Sequence, residues 1–154
     1  MAQTTNAVPQ ACQKVEISTD VFVAHTLDIS GETMSVAGVE QSRVTGEVYT
    51  FDGDTAIVKG GKRQPMDVTF AIVYTEDAAE AYEIIRAVFE TAGCDCTLSV
   101  RWSPAGGSVG DKQLTMTGIL SNFIYPAGEA SAGNPIAAGF TIRGPSVSTA
   151  DVST

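Results

Sequence analysis

Hydrophobic and polar residues alternate along most of this chain, with a single stretch of helical period. From Lys14 to Ser18, Val15 and Ile17 alternate with Glu16 and Ser18, which predicts a short strand. The apolar run Val21 to Leu27 predicts a second extended segment, broken by Ser30-Gly31-Glu32. Val44 to Phe51 carries Val44, Val48, Tyr49 and Phe51 and leads into Asp52-Gly53-Asp54. An Asp-Gly pair between β-prone runs predicts a tight hairpin, because glycine takes the positive φ such turns demand. The return strand is expected over 55–59, followed by a mobile basic loop, Gly60-Gly61-Lys62-Arg63, ended by Pro65. Met66 to Tyr74 is the clearest strand, with Val68, Phe70, Ile72 and Tyr74 on one face and Asp67, Thr69, Ala71 and Val73 on the other. The second face turns apolar toward its end, which predicts cover on both sides there.

The period then changes. Tyr82, Ile85 and Phe89, joined by Ala78, Ala81 and Val88, form one apolar stripe, so a helix is expected over 78–92. Asp77 and Glu80 resemble a capping box, and Gly93 supplies the stop. Leu98, Val100 and Trp102 alternate with Thr97, Ser99 and Arg101 in a further strand. A Pro/Gly-rich loop over 103–113 precedes a long strand, 114–125, in which Gly118 suggests a bulge or bend. Ile136, Ala138, Phe140 and Ile142 mark the last strand. Many strands and one amphipathic helix predict a mainly β fold, a β-sandwich or partial barrel with one flanking α-helix. The expected organisation is an N-terminal arm over 1–14, one domain over 15–144 and a tail without core pattern over 145–154.

Composition narrows the function classes. At 154 residues the chain has the length of one domain and can bury a core without disulfides or metal. Charged residues make up 18%, below the usual ~25%, which fits a protein that hides part of its surface against other copies. No apolar run is long enough for a membrane helix, and the polar start lacks the pattern of a secretory signal, so a cytosolic site of synthesis is expected. The net charge of −9 argues against tight binding of a phosphate backbone.

Candidate chemistry is sparse. His25 is the single histidine; with Asp28 nearby it allows a small hydrolase as one reading, but no nucleophile elbow accompanies it. Cys12, Cys94 and Cys96 make an odd number, a poor disulfide framework, and with one histidine they spell no familiar zinc site. The glycines before Lys62 miss the phosphate-loop pattern twice, since Ala56 stands where glycine is required and Arg63 where serine or threonine is. Glu47, Asp52 and Asp54 offer oxygens for calcium, yet a D-G-D turn reads more simply as a hairpin. No cofactor is expected. The basic knot Lys59, Lys62 and Arg63 is either solvated or paired with acidic residues of an adjacent copy.

One ordered set of short motifs resembles a known family. Val44-Thr45-Gly46-Glu47-Val48-Tyr49-Thr50, the D-G-D turn, and Gly61-Lys62-Arg63-Gln64-Pro65 leading to Ile72-Val73-Tyr74-Thr75-Glu76 are followed by the helix and Leu98-Ser99-Val100-Arg101-Trp102-Ser103-Pro104-Ala105-Gly106-Gly107. This order, over 30–145, is similar to bacteriophage tail tube proteins of long non-contractile tails. The resemblance implies a β-sandwich flanked by a helix, a fold shared with type VI secretion ring subunits. It implies no enzymatic activity, but homo-oligomeric, six-fold rings stacked into a tube through which DNA passes without tight binding. It also implies tape-measure, tail-terminator and tail-tip or baseplate partners, no membrane insertion, and a place in a virion tail assembled in a bacterial cytoplasm. Contacts between copies are expected at the loop over 30–44, the N-terminal arm, the basic loop and the C-terminal tail. The residues singled out are Gln10, Asp52, Asp54, Lys59, Gly61, Lys62, Arg63 and Val147. The alternatives are a type VI secretion-like ring protein and a small β-barrel binding or decoration module.

Overall fold

The computed structural model describes Val8 and residues 13–19, 27–91, 93, 96–128 and 133–153. Ten strands and one helix follow in order: β1 (Lys14–Ser18), β2 (Leu27–Asp28), β3 (Thr33–Ala37), β4 (Arg43–Val48), β5 (Ile57–Arg63), β6 (Met66–Val73), α1 (Ala81–Thr91), β7 (Thr97–Ser103), β8 (Lys112–Ala127), β9 (Ala137–Gly144) and β10 (Ser148–Asp151). Eight strands form one antiparallel sheet in the order β2-β1-β7-β8-β9-β6-β3, with β10 also paired to β8; β4 and β5 form a separate hairpin. The mainly β fold with one helix matches the expectation from the sequence.

The two edge strands of the large sheet, β2 and β3, are neighbours in sequence, separated only by 29–32. So short a link forces the sheet to curl until its edges nearly meet. The turn is fixed by the Ile29 N–H donating to the Val15 carbonyl at 2.9 Å, the Thr33 N–H to the Ile29 carbonyl at 3.0 Å and the Val73 N–H to the Glu32 carbonyl at 2.8 Å. The curl stops short of a closed barrel, because β1 and β3 do not pair with each other.

Alternation places the core inside this curl. Val15, Ile17, Val68, Phe70, Ile72, Leu98, Val100, Phe140 and Ile142 are buried there, each such side chain contributing roughly 1.5–3 kcal/mol. Phe70 stacks on Phe140 across the β6–β9 pair at 5.0 Å and takes Trp102 edge-on at 6.0 Å. The helix packs against β6, β8 and β9. Its Tyr82 meets Tyr74 edge-on at 4.7 Å, and Phe89 stacks on Phe123 at 5.8 Å. Asp77 Oδ1 accepts from the Ala79 N–H at 2.9 Å, but the amide of Ala81 is capped from outside the helix, by Glu32 Oε2 at 2.7 Å. The helix therefore begins later than the stripe suggests, with residues 78–80 in turns. Gly93, at φ 57°, is the expected stop.

Five expectations need correction. The connection between β4 and β5 spans 49–56, and Gly53 does not take a positive φ, so the Asp-Gly pair makes no tight two-residue turn. Gly60, Gly61, Lys62 and Arg63 form the end of β5 rather than a mobile loop, because β4 offers them a partner strand. The segment over 30–44 contains an edge strand, β3, whose one side pairs with β6. Gly118 marks no bulge; the register shifts lie between Leu120 and Asn122 and between Ile124 and Ala127. A Cβ at Gly118 would stand 2.3 Å from the Arg143 carbonyl oxygen, so glycine is required there by close backbone approach. The stretch beyond Gly144 is more than a tail, for β10 continues along the edge of β8 that β9 leaves: Arg143 pairs with Ile119 and Ser148 with Thr115.

Candidate assembly surfaces

Among the described residues, no other strand or helix packs extensively on the β4–β5 hairpin. Every residue of both strands is exposed, and Val44, Val48, Ile57 and Val58 are 46–60% exposed, with Tyr49 and Phe51 bare in the connection. Directly paired residues share a face, so Val48 lies beside Ile57, and Val44 joins them by period two along the strand. An isolated two-stranded hairpin is marginally stable in water, since its apolar face buries too little. The foot of this hairpin is closed by the Gln64 N–H donating to the Ser42 carbonyl at 2.9 Å, and it is tied to the body by Gln41 Nε2 donating to the Pro145 carbonyl at 2.8 Å.

Charge is divided unequally. Of the nine cations, four (Arg43, Lys59, Lys62 and Arg63) are on the hairpin strands. The other five are each paired with a carboxylate of the body: Lys14 and Arg101 with Glu16 at 2.8 and 2.7 Å, Arg86 with Glu83 and Glu90, Lys112 with Asp151, and Arg143 with Asp67 at 2.6 Å. Burial works against the charged form of Glu16, yet the hydrogen bonds from Lys14 and Arg101 hold its carboxyl below the ordinary range. The hairpin cations have no ion pair among the described residues. Arg43 sits directly across from Arg63, an arrangement that is destabilising between like charges; Arg43 Nη1 donates to the Gly61 carbonyl, at 3.2 Å.

At the far end of β6, Glu76, Asp77 and Glu80 lead into α1, and Glu32 lies near enough to Glu80 and Asp77 to feel their charge. Burial pushes the Glu32 carboxyl up, Glu80 and Asp77 push it further, and only the Ala81 amide opposes them. Glu76 accepts from the Tyr74 hydroxyl at 3.0 Å.

A third surface is the seam left by the incomplete curl. Gln13 and Val15 on one side and Thr33, Met34, Ser35 and Val36 on the other line a cleft of about 300 Å³ whose lining, among the described residues, carries no titratable side chain. The outer edge of β3 has no strand partner among the described residues. Such a cleft can accept an added strand through backbone hydrogen bonds. A second cleft, of about 450 Å³, holds Lys14, Glu16 and Arg101, which are occupied with one another. Among the described residues no three His, Cys, Asp or Glu side chains gather to hold a metal, and no helix is long and apolar enough to cross a membrane.

Of the residues singled out from sequence, Lys59, Gly61, Lys62 and Arg63 come together on β5, with Asp52 and Asp54 in the exposed connection beyond. Gly61 acts within the hairpin, where a Cβ would stand 3.0 Å from the Val44 carbonyl oxygen. Val147 is half-buried against the core, contrary to a tail without core pattern. Gln10, His25, Cys12 and Cys94 lie outside the described residues. Cys96 is half-buried and donates to the Leu120 carbonyl at 3.4 Å. Sequence reading missed Arg43 and Glu32, whose roles depend on partners across the hairpin and across the fold. It also missed β3, although Met34 and Val36 alternate there with Thr33 and Ser35.

Neither a protein-family model nor a curated protein sequence matches this chain. Solved structures do. The tube-terminating cap of the anti-feeding prophage superposes with a TM-score of 0.74 at 12% identity, covering 98% of this chain and 95% of its own. The sheath-tube complex of an extracellular contractile injection system, PVC, gives 0.75 at 14% identity over 96% and 94%. The SPP1 tail tube gives 0.66 at 7% identity over 94% and 80%. At these identities the likeness is one of fold. The chain has the fold of tail-tube and tube-terminating components of phage-like injection systems, and contractile assemblies are matched alongside the SPP1 tube, so long non-contractile tails are not singled out.

Proposed function

We propose that this chain is a structural subunit of a tail-like tube, in which copies close into rings, six-fold by the resemblance, and the rings stack into a hollow conduit. The observation that carries this is a sheet that curls without closing, leaving β3 with no strand partner on its outer edge among the described residues, beside a cleft at the seam. A strand from a neighbouring copy would satisfy that edge, and a contact that joins different surfaces of successive copies closes a ring or repeats along an axis. The fold likeness to tube subunits supports the reading. On it, the partners are further copies, a tape-measure protein, a terminator and tip or baseplate components, in a virion tail, with DNA passing a lumen that does not grip it.

A second reading, a tube of a contractile injection machine, is favoured by the superpositions on anti-feeding prophage and PVC components. The test common to both is assembly of the full chain. Concentrated protein, with and without its tail-initiating partners, should give rings or tubes by negative-stain microscopy. A monomer under every condition would overturn the proposal. Purified particles then separate the readings, since DNA ejection through the tube supports the first and its absence from sheathed particles the second.

A further inference from the structure

We propose that the β4–β5 hairpin docks on the α1 end of a second copy, with its basic foot against the carboxylates of Glu76, Asp77 and Glu80. This rests on the tube reading and names the surfaces that stack. The hairpin's foot and the acidic segment lie at opposite ends of β6. β5 ends two residues before β6 begins, and Tyr74, Glu76 and Asp77 follow where β6 finishes. Eight strand residues put about 23 Å between them, so one copy cannot satisfy itself through its own β6. Two copies placed head to tail can.

Three independent features ask for this occupant. The opposed Arg43 and Arg63 have no anion among the described residues, and a carboxylate from outside would convert a repulsion into a pair of charge-assisted hydrogen bonds. The acidic end has the reverse problem: Arg86, the cation on that helix, is already taken by Glu83 and Glu90. Finally, Val44, Val48 and Ile57 form an exposed apolar face that no described residue of the body covers. A nucleic acid fits less well. The hairpin segment carries Glu47, Asp52 and Asp54 as well as its four cations, and an apolar face gains nothing from a phosphate backbone.

The experiment uses two full-length variants and their mixture. Lys62→Glu/Arg63→Glu makes both ends acidic, and leaves Arg43 a partner within its own hairpin, so the hairpin should stay folded. Glu76→Lys/Glu80→Lys makes the other end basic; Asp77 and Glu32 are left alone because they cap backbone amides. Each variant alone should stack poorly, its critical concentration rising at least about tenfold, and the two mixed should form tubes again. Trp102 fluorescence reports the fold of each, and Glu76→Gln/Glu80→Gln serves as a milder variant should the lysines disturb the helix start. Unimpaired tubes from either charge-reversed variant alone, or no rescue on mixing, would overturn the docking while leaving the tube reading intact. A wild type that never assembles would overturn the tube reading itself. Salt-sensitive DNA binding lost in Lys62→Glu/Arg63→Glu, with stacking unchanged, would assign the foot to nucleic acid instead.

Discussion

Replacing Gly118 by alanine adds one methyl group where the backbones of β8 and β9 approach closely. The new Cβ would lie 2.3 Å from the Arg143 carbonyl oxygen, 2.7 Å from its carbon and 2.9 Å from Gly144 Cα. Ordinary contacts of carbon stand about 3.5 Å apart or more, and the obstacles are backbone, so no side chain can swing aside. The strands must part by roughly 1 Å next to the Ile119–Arg143 pair. Overpacking of this kind costs about 1–3 kcal/mol, and a stretched ladder bond adds about 0.5–1.5 kcal/mol. Alanine offsets only about 0.4–1 kcal/mol of this by restricting the unfolded chain. A net loss of about 2–3 kcal/mol is expected. Urea unfolding followed at Trp102, the single tryptophan, measures it on subunits kept below the concentration at which they assemble. The control is Gly31→Ala, where no atom lies within 4 Å and φ is not positive; it should be neutral or stabilising. If Gly118→Ala unfolded within about 0.5 kcal/mol of the wild type, the close-approach argument would be wrong and glycine would be there for flexibility.

Two further perturbations probe the core and the helix start. Phe140→Ala removes a fully buried ring stacked on Phe70 and should cost about 3–5 kcal/mol in the same urea titration; a loss below about 1 kcal/mol would mean the curl is held by something other than this packing. Glu32 has a raised carboxyl, so folding favours its protonated form and stability should fall as pH rises through that raised value. Glu32→Gln keeps an acceptor for the Ala81 amide without the charge, and should match or exceed the wild type at neutral pH while flattening the pH dependence. Glu32→Ala leaves that amide uncapped and should lose about 1 kcal/mol. A glutamine variant clearly weaker than wild type at neutral pH would refute this account.

What the sequence made legible followed from where each residue's partners sit. Val68, Phe70 and Ile72, or Leu98, Val100 and Trp102, alternate because one sheet face is core, and both strands stand where alternation puts them. The helix was visible in Tyr82, Ile85 and Phe89, but its first residue depends on Glu32, distant in sequence, and no local rule reaches that far. The basic knot was found as a cluster of charge and misread as a loop, because Gly60 and Gly61 signal flexibility locally while β4 supplies a strand partner. β10 carries Ser148, Thr149, Ala150 and Asp151, all exposed, so it has no apolar face to announce it; only the vacant edge of β8 makes it a strand. The opposed arginines appear only once the register of the hairpin is known.

The free edge and the hairpin differ in how firmly each is held, and this bears on how copies would join. The turn over 29–32 is anchored on both sides: Ser30 Oγ accepts from the Val15 N–H at 2.8 Å, and Glu32 ties the same turn to the helix through Ala81. Through Thr33, whose side-chain hydroxyl donates to the Ile29 carbonyl at 2.8 Å, that anchoring extends to the start of β3. An edge already fixed loses little freedom when a strand is added, so most of the hydrogen-bond energy survives as affinity. Among the described residues the hairpin is tied to the body at its foot, by Gln41, where Ser42 and Gln64 bond to each other, and its outer part must order against whatever covers it. On the proposed reading, closure within a ring draws on the prepared edge and should precede stacking, which waits for a surface able to both order the hairpin and neutralise Arg43 and Arg63. Stacking should accordingly be the step that salt weakens, because it rests on exposed charge, whereas ring closure through backbone hydrogen bonds should not be.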